Sequence, residues 1–138
     1  VDRLEAEFAG GKKLLRQAAP GLVNAAEAKL RGQDIDPKAV RNAVAALRAQ
    51  DGGDAIDTVV LACTHFPLLN TELQAEFGDE VDLIDGSRGI ARRIAHLIEG
   101  QPIARGALSR AVTTGDIDAF RQLSPIFATY GIDRLDRF

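Results

Sequence analysis

The sequence predicts an α/β protein with a mostly parallel sheet and flanking helices. Short apolar runs alternate with helical patterns along the 138 residues, and the runs lie about one helix apart. Parallel neighbours need a crossover of about a dozen residues, which is usually a helix. Hydrophobic residues make up 46% of the chain and charged residues 27%, as in an ordinary globular protein with a buried core.

The first half of the chain begins with helical patterns. Val1–Phe8 has apolar residues at positions 1, 4 and 8, and Gly10-Gly11 ends this helix. Lys13–Arg16 is predicted to be a short strand. Pro20 begins a helix that ends at Gly32, and its inward face holds Leu22, Val23, Ala26 and Leu30. Asp36-Pro37 caps a third helix, with Val40, Val44 and Leu47 on one side and a turn at Gly52-Gly53.

Strands and helices then alternate. Residues 57–62 are predicted to be a strand, followed by a helix from Pro67 to Phe77 and a strand over 81–84. Asp85-Gly86-Ser87 is predicted to be a capping turn before the helix that carries Ile90, Ile94, Leu97 and Ile98, and the alternative is an anion site at the start of that helix. Beyond a linker over 100–109, we expect a strand at 110–114, a helix capped by Asp116 with Phe120, Leu123 and Phe127 inward, and a closing strand at 132–138.

Composition excludes several classes of function. A formal net charge of -3 argues against a dedicated nucleic-acid binder, and no apolar stretch approaches the roughly 18 residues that a membrane span needs. One cysteine excludes an internal disulfide, and one cysteine with two histidines cannot form a closed zinc site without carboxylates. A cytoplasmic location is the default. Because the chain lacks methionine and begins within a helical pattern, we expect it to be the carboxyl-terminal part of a longer protein.

The only cysteine follows the predicted strand 57–62, in the run Ala62-Cys63-Thr64-His65-Phe66-Pro67. Reactive side chains at the carboxyl end of a buried strand are typical of α/β active sites. On an extended strand end, Cys63 and His65 would point to the same side. The free amides of the next helix would then lower the pKa of the thiol and could hold a substrate carboxylate. Spacing leaves three interpretations of Cys63 open: a buried structural residue, a nucleophile paired with His65, or a thiolate base.

The segment Ile56 to Leu69, IDTVVLACTHFPLL, resembles the second-cysteine motif of glutamate racemases. Three other segments resemble that family in the same order: Pro20–Val23 with Glu27, Leu83–Gly86 with the Ala91-Arg92-Arg93 helix, and Val112–Asp116. The resemblance implies a cofactor-independent racemase with two pseudo-symmetric α/β domains and the active site between them. It implies that glutamate is the small-molecule substrate. It also implies that the product, D-glutamate, is used for peptidoglycan and so for the cell wall and cell shape.

The resemblance also implies roles for individual residues. One cysteine thiolate would remove the Cα proton of glutamate and a second cysteine would return one, with Cys63 as the carboxyl-terminal acid/base. Thr64 and His65 would contact the substrate, and His65 would assist Cys63. Glu27 matches an auxiliary acidic residue of the family; the alternative is a solvated helix glutamate followed by Lys29 and Arg31.

The chain departs from the family pattern because it lacks the partner cysteine and the amino-terminal Asp-Ser-Gly turn. We therefore expect residues 1–85 to be most of the second domain and residues 86–138 to be a returning segment that completes the first. This fragment alone is expected to be inactive. No metal, cofactor, nucleic acid or membrane partner is expected, and a homodimer is left open because the sequence does not determine the oligomeric state. The alternatives are an aspartate or hydantoin racemase of the same superfamily, or a non-catalytic interaction module that keeps the racemase fold.

Overall fold

The computed structural model describes residues 2–102 and 109–138, which divide into two units. Of the described residues, the first unit comprises 2–26 and 35–86, and the second comprises 27–34, 87–102 and 109–138. These units are defined by contacts within the chain. The assignment of residues 1–85 and 86–138 to two domains of a longer protein therefore stays a prediction.

The first unit contains a β-α-β arrangement with further helices. Its elements in chain order are α1 (Asp2–Phe8), the start of α2 (Pro20–Leu30), α3 (Pro37–Arg48), β1 (Thr58–Val60), α4 (Asn70–Phe77) and β2 (Asp82–Ile84). β1 and β2 are parallel, with Val59 opposite Leu83, so the helix between them is the predicted crossover.

Local chemistry sets the ends of α3. Asp36 is its N-cap, and the carboxylate accepts a hydrogen bond of 2.9 Å from the backbone N–H of Lys38. The turn after α3 requires two glycines. Gly52 has a φ of 81°, and a Cβ on Gly53 would collide with the carbonyl oxygen of Arg48.

The core of the first unit packs the helices against one face of the β1–β2 sheet. Among the residues whose side chains the structure describes, ten hydrophobic side chains are buried in it: Leu22, Ala25, Ala26, Val40, Val44, Leu61, Leu69, Leu73, Phe77 and Val81. Val59 and Leu83 pack against this cluster. The alternate residues Val60 and Ile84 are 59% and 49% exposed, so the other face of the sheet is uncovered.

The second unit also contains two parallel strands. Its elements are α5 (Ser87–Ile98), β3 (Arg110–Thr113), α6 (Ile117–Arg121), α7 (Ser124–Thr129) and β4 (Arg134–Arg137). Ala111 lies opposite Leu135 in the β3–β4 pair. Asp116 caps α6, as predicted, by accepting hydrogen bonds from the N–H groups of Asp118 and Ala119. Every residue of α5 is exposed, including Ile90, Ile94, Leu97 and Ile98.

Several sequence-based predictions of elements are wrong in detail. Lys13–Arg16 forms no strand, because no described strand lies beside it to pair with. The helix expected through Phe120 and Phe127 is divided into α6 and α7, with Pro125 in the first turn of α7, where a missing N–H is tolerated. The strand over 57–62 is shorter, Thr58–Val60.

Residues 103–108 of the predicted 100–109 linker lie outside the described residues. Within the described ranges, each helix is too short or too polar to cross a membrane.

Candidate active site

Cys63 lies in the turn that joins β1 to a 3-10 turn over Phe66–Leu69. The Phe66 N–H donates a hydrogen bond of 3.2 Å to the carbonyl of Cys63, and the Leu68 N–H donates one of 3.1 Å to that of His65. Pro67 lies in the first turn of this segment, where its missing N–H costs nothing. The helix predicted from Pro67 therefore begins as a 3-10 turn, and α4 follows it.

Two buried leucines hold the ends of the site turn. Leu61 is 6% exposed and Leu69 is 0% exposed, and both belong to the core cluster of the first unit. Ala62 and Thr64 are exposed, whereas Cys63 and His65 are half-buried. The turn is thus anchored on both sides and presents its reactive groups near the surface, which makes them accessible to a small molecule.

The Cys63 thiol and the His65 imidazole lie together. The Sγ atom is 3.9 Å from Nδ1, within contact distance for sulfur. The sequence predicted that an extended strand end would place these two side chains on the same side. Residues 63–65 instead form a bend and a turn. The backbone reversal, not strand alternation, brings the two side chains to one side.

The turn stabilises the thiolate form of Cys63. The backbone N–H of His65 and, next, its imidazole hold the pKa of Cys63 below its ordinary value, while partial burial of the thiol opposes them. The N–H of Phe66 contributes a smaller lowering. A lowered pKa raises the fraction of thiolate at neutral pH, and the thiolate is the basic and nucleophilic form.

Glu27 belongs to the second unit, whereas Cys63, Thr64 and His65 belong to the first. The Glu27 carboxylate lies 2.5 Å from the guanidinium of Arg31, one helical turn later. This i,i+4 ion pair is the contact expected of a glutamate on a helix surface. The auxiliary role of Glu27 stays a prediction.

The backbone amides of His65 and Phe66 belong to the site but were not predicted from the sequence. The predicted amides were those of a helix beginning at Pro67, whereas the turn starts earlier. The amino-acid sequence contains no signal for a backbone hydrogen-bond donor. Only Pro67 indicated that a turn begins close to Cys63. Within residues 2–102 and 109–138, no cluster of three His, Cys, Asp or Glu side chains could hold a metal ion.

Two relatives and one solved structure that match this chain are all glutamate racemases. A glutamate racemase of Sphingopyxis alaskensis is 66% identical over 101 residues, which is 73% of this chain and 38% of the relative. The glutamate racemase of Escherichia coli K12 is 36% identical over 97% of this chain. The crystal structure of E. coli glutamate racemase in complex with L-glutamate and an activator, UDP-MurNAc-Ala, superposes with a TM-score of 0.86.

The chain belongs to the glutamate racemase family. The E. coli structure matches 99% of this chain at 33% identity. A glutamate racemase isoform of Bacillus anthracis matches with a TM-score of 0.75 and 25% identity. No protein-family model matches the chain.

The chain spans about half or less of the length of the relatives it matches. It covers 38% of the S. alaskensis enzyme, 47% of the E. coli sequence and 52% of the E. coli structure. The parallel strands with flanking helices predicted from the sequence are confirmed by the match to this fold.

Proposed function

We propose that this chain is the carboxyl-terminal part of a cofactor-independent glutamate racemase that interconverts L- and D-glutamate. The observation that carries the proposal is the thiol of Cys63, held in a turn whose backbone amides and imidazole stabilise its thiolate. The family relationship supports glutamate as the substrate, since the E. coli relative was crystallised with L-glutamate. The product would serve peptidoglycan synthesis in the cytoplasm.

Racemisation without a cofactor requires a second thiol in addition to Cys63. Inverting Cα without a cofactor requires a base on one face of the carbon and an acid on the other. The Cα proton is much less acidic than a thiol, so both groups must be aligned in a site that excludes water. In the proposed mechanism, Cys63 removes or returns the proton on its face, and a cysteine outside this chain serves the opposite face.

We assign further roles by the same proposal. Thr64 and His65 contact the substrate, since Thr64 is exposed beside the thiol and His65 lies against it. Glu27 is an auxiliary acidic residue. Residues 1–85 form most of one domain of the complete enzyme and residues 86–138 return to complete the other, so this chain alone is inactive.

The test uses the complete enzyme that contains this sequence. Conversion of L-glutamate is followed by circular dichroism, and solvent deuterium incorporation at Cα is followed by NMR. Cys63→Ala should lower kcat by about 100- to 10,000-fold, the usual contribution of a general acid or base. The matched control is Ala62→Ser, which changes an exposed neighbour outside the proposed machinery and should leave kcat near that of the parent.

Four results would contradict the proposal in different ways. Turnover of aspartate or a hydantoin in place of glutamate would identify the alternative racemases. Full activity in the Cys63→Ala enzyme would remove Cys63 from the mechanism, and no turnover of any substrate would favour a non-catalytic module. Racemisation by these 138 residues alone, abolished by Cys63→Ala, would refute the expected inactivity of the fragment.

A further inference from the structure

Phe66 connects the turn that carries Cys63 to the core of the first unit. Its side chain is half-buried and packs against the core cluster. It also lines a cavity of about 540 Å³ in this unit, together with the buried side chains of Leu73 and Phe77. The four residues before it, 62–65, do not line this cavity. The ring of Phe66 is therefore the part of the turn that reaches into the interior of the unit.

The backbone of Phe66 closes the turn on Cys63. Its N–H donates a hydrogen bond of 3.2 Å to the carbonyl oxygen of Cys63, three residues earlier. A hydrogen bond between a carbonyl and the N–H three residues later closes a reverse turn. The N–H and the ring belong to the same residue, and a buried side chain adopts one of a few staggered rotamers. Packing of the ring on the core therefore fixes where the N–H lies.

The thiol of Cys63 depends on two backbone donors of this turn. Pro67 has no N–H, and the N–H of Leu68 donates to the carbonyl of His65 at 3.1 Å. The amide of His65 and, to a smaller extent, that of Phe66 hold the pKa of Cys63 below its ordinary value. Both amides lie in the turn that Phe66 closes. A change in the shape of the turn would move both donors relative to the sulfur, and hydrogen bonds weaken steeply with poorer geometry.

We propose that Phe66 is a positioning residue for Cys63: its ring, packed on the core of the first unit, holds the turn in the shape that places the His65 and Phe66 amides against the sulfur. Leu61 and Leu69 hold the two ends of the turn, and Phe66 holds its middle. The ring acts through the backbone and takes no part in the reaction. This inference deepens the proposed function and rests on it, because Cys63 is the group that would transfer the proton.

The test measures the reactivity of Cys63 in the chain itself. Cys63 is the only cysteine of the chain, so the rate of alkylation by iodoacetamide reports this thiol alone. The rate is measured at a series of pH values for the parent and for Phe66→Ala. We expect the variant to have a higher Cys63 pKa and to react about three- to tenfold more slowly near neutral pH, the effect of weakening one hydrogen bond. A folded Phe66→Ala chain with the parent's profile would overturn the proposal.

His65 is present in the parent and in every variant. Its Nδ1 lies 3.9 Å from the sulfur of Cys63, and its imidazole also lowers the pKa of the thiol. Titration of His65 contributes to each alkylation profile, so the difference between profiles reports the change at Phe66.

Two matched variants separate positioning from packing. Leu47→Ala truncates another half-buried side chain that packs on the same cluster and lines the same cavity, but it lies on α3. It should lower the free energy of unfolding and leave the alkylation profile of Cys63 unchanged. Phe66→Tyr keeps the ring and should react as the parent does. The proposal fails if Leu47→Ala slows alkylation as much as Phe66→Ala, or if Phe66→Tyr reacts as slowly as Phe66→Ala.

Phe66→Val replaces Phe66→Ala if circular dichroism shows that the alanine variant does not fold. Valine is apolar but reaches less far into the core, so we expect slower alkylation in this variant too. A folded Phe66→Val chain with the parent's profile would then contradict the proposal.

The complete enzyme provides an independent readout. Phe66→Ala should lower kcat for glutamate and leave KM near that of the parent, because the ring packs on the core rather than on the substrate. A change confined to KM would contradict a positioning role. If the complete parent enzyme did not racemise glutamate, the proposed function would fail, and the alkylation profiles would still decide whether Phe66 positions the turn.

Discussion

Leu69→Ala is expected to destabilise the first unit strongly. Leu69 ends the 3-10 turn that follows the site, is 0% exposed and is the largest fully buried side chain among the described residues. Its truncation removes buried methyl groups and leaves a cavity in the core cluster of the first unit. Buried leucine-to-alanine changes lower the free energy of unfolding by about 2–5 kcal/mol. Such a loss is a large fraction of the roughly 5–15 kcal/mol that stabilises a typical domain.

The measurement is urea unfolding followed by far-ultraviolet circular dichroism, with the free energy compared at equal slope m. Leu14→Ala is the matched control, since it makes the same change in the same unit at a side chain that is 40% exposed. We expect the control to cost less than about 1 kcal/mol. Equal losses of unfolding free energy in the two variants would show that burial of Leu69 does not anchor the turn that carries Cys63.

Three further predictions concern charge and exposed surface. His65→Ala should raise the pKa of Cys63, measured from the pH dependence of thiol alkylation, but only in part, because the backbone N–H of His65 is the larger cause of the lowering. The amides of Ala119 and Asp118 lower the pKa of Asp116 in the folded state, so its stabilising contribution is lost as the pH falls through that lowered pKa. Asp116→Asn should therefore lose less stability on acidification than the parent, as measured by urea midpoints at a series of pH values. Ile94→Glu should change the free energy of unfolding by no more than about 0.5 kcal/mol and reduce self-association in sedimentation experiments, because Ile94 is 53% exposed on α5.

Local signals predicted most of the helices. Asp36-Pro37 correctly marked the start of α3, since a capping carboxylate and a proline act on their own turn. Asp116 marked the start of α6 for the same reason. The 3.6-residue spacing of Ile90, Ile94 and Leu97 correctly indicated α5, although the pattern could not show whether that face would be covered.

Strand predictions depended on neighbours that local sequence does not supply. Lys13–Arg16 is apolar enough for a strand, but a strand forms only where a partner edge pairs with it. β1 and β2 lie within the predicted ranges because each provides the other with a partner in register. The same dependence explains why β1 is shorter than its apolar run.

For the candidate site, the sequence by itself determined which groups are present. It placed the only thiol after a strand, an imidazole two residues later and a proline that begins the next turn. Only the tertiary structure decided how they meet. Burial of Leu61 and Leu69 holds the chain reversal between them, and that reversal brings the His65 N–H and imidazole to the Cys63 sulfur. The physical reason is that side-chain chemistry is local, whereas the pKa of a thiol depends on the donors and charges that folding places around it.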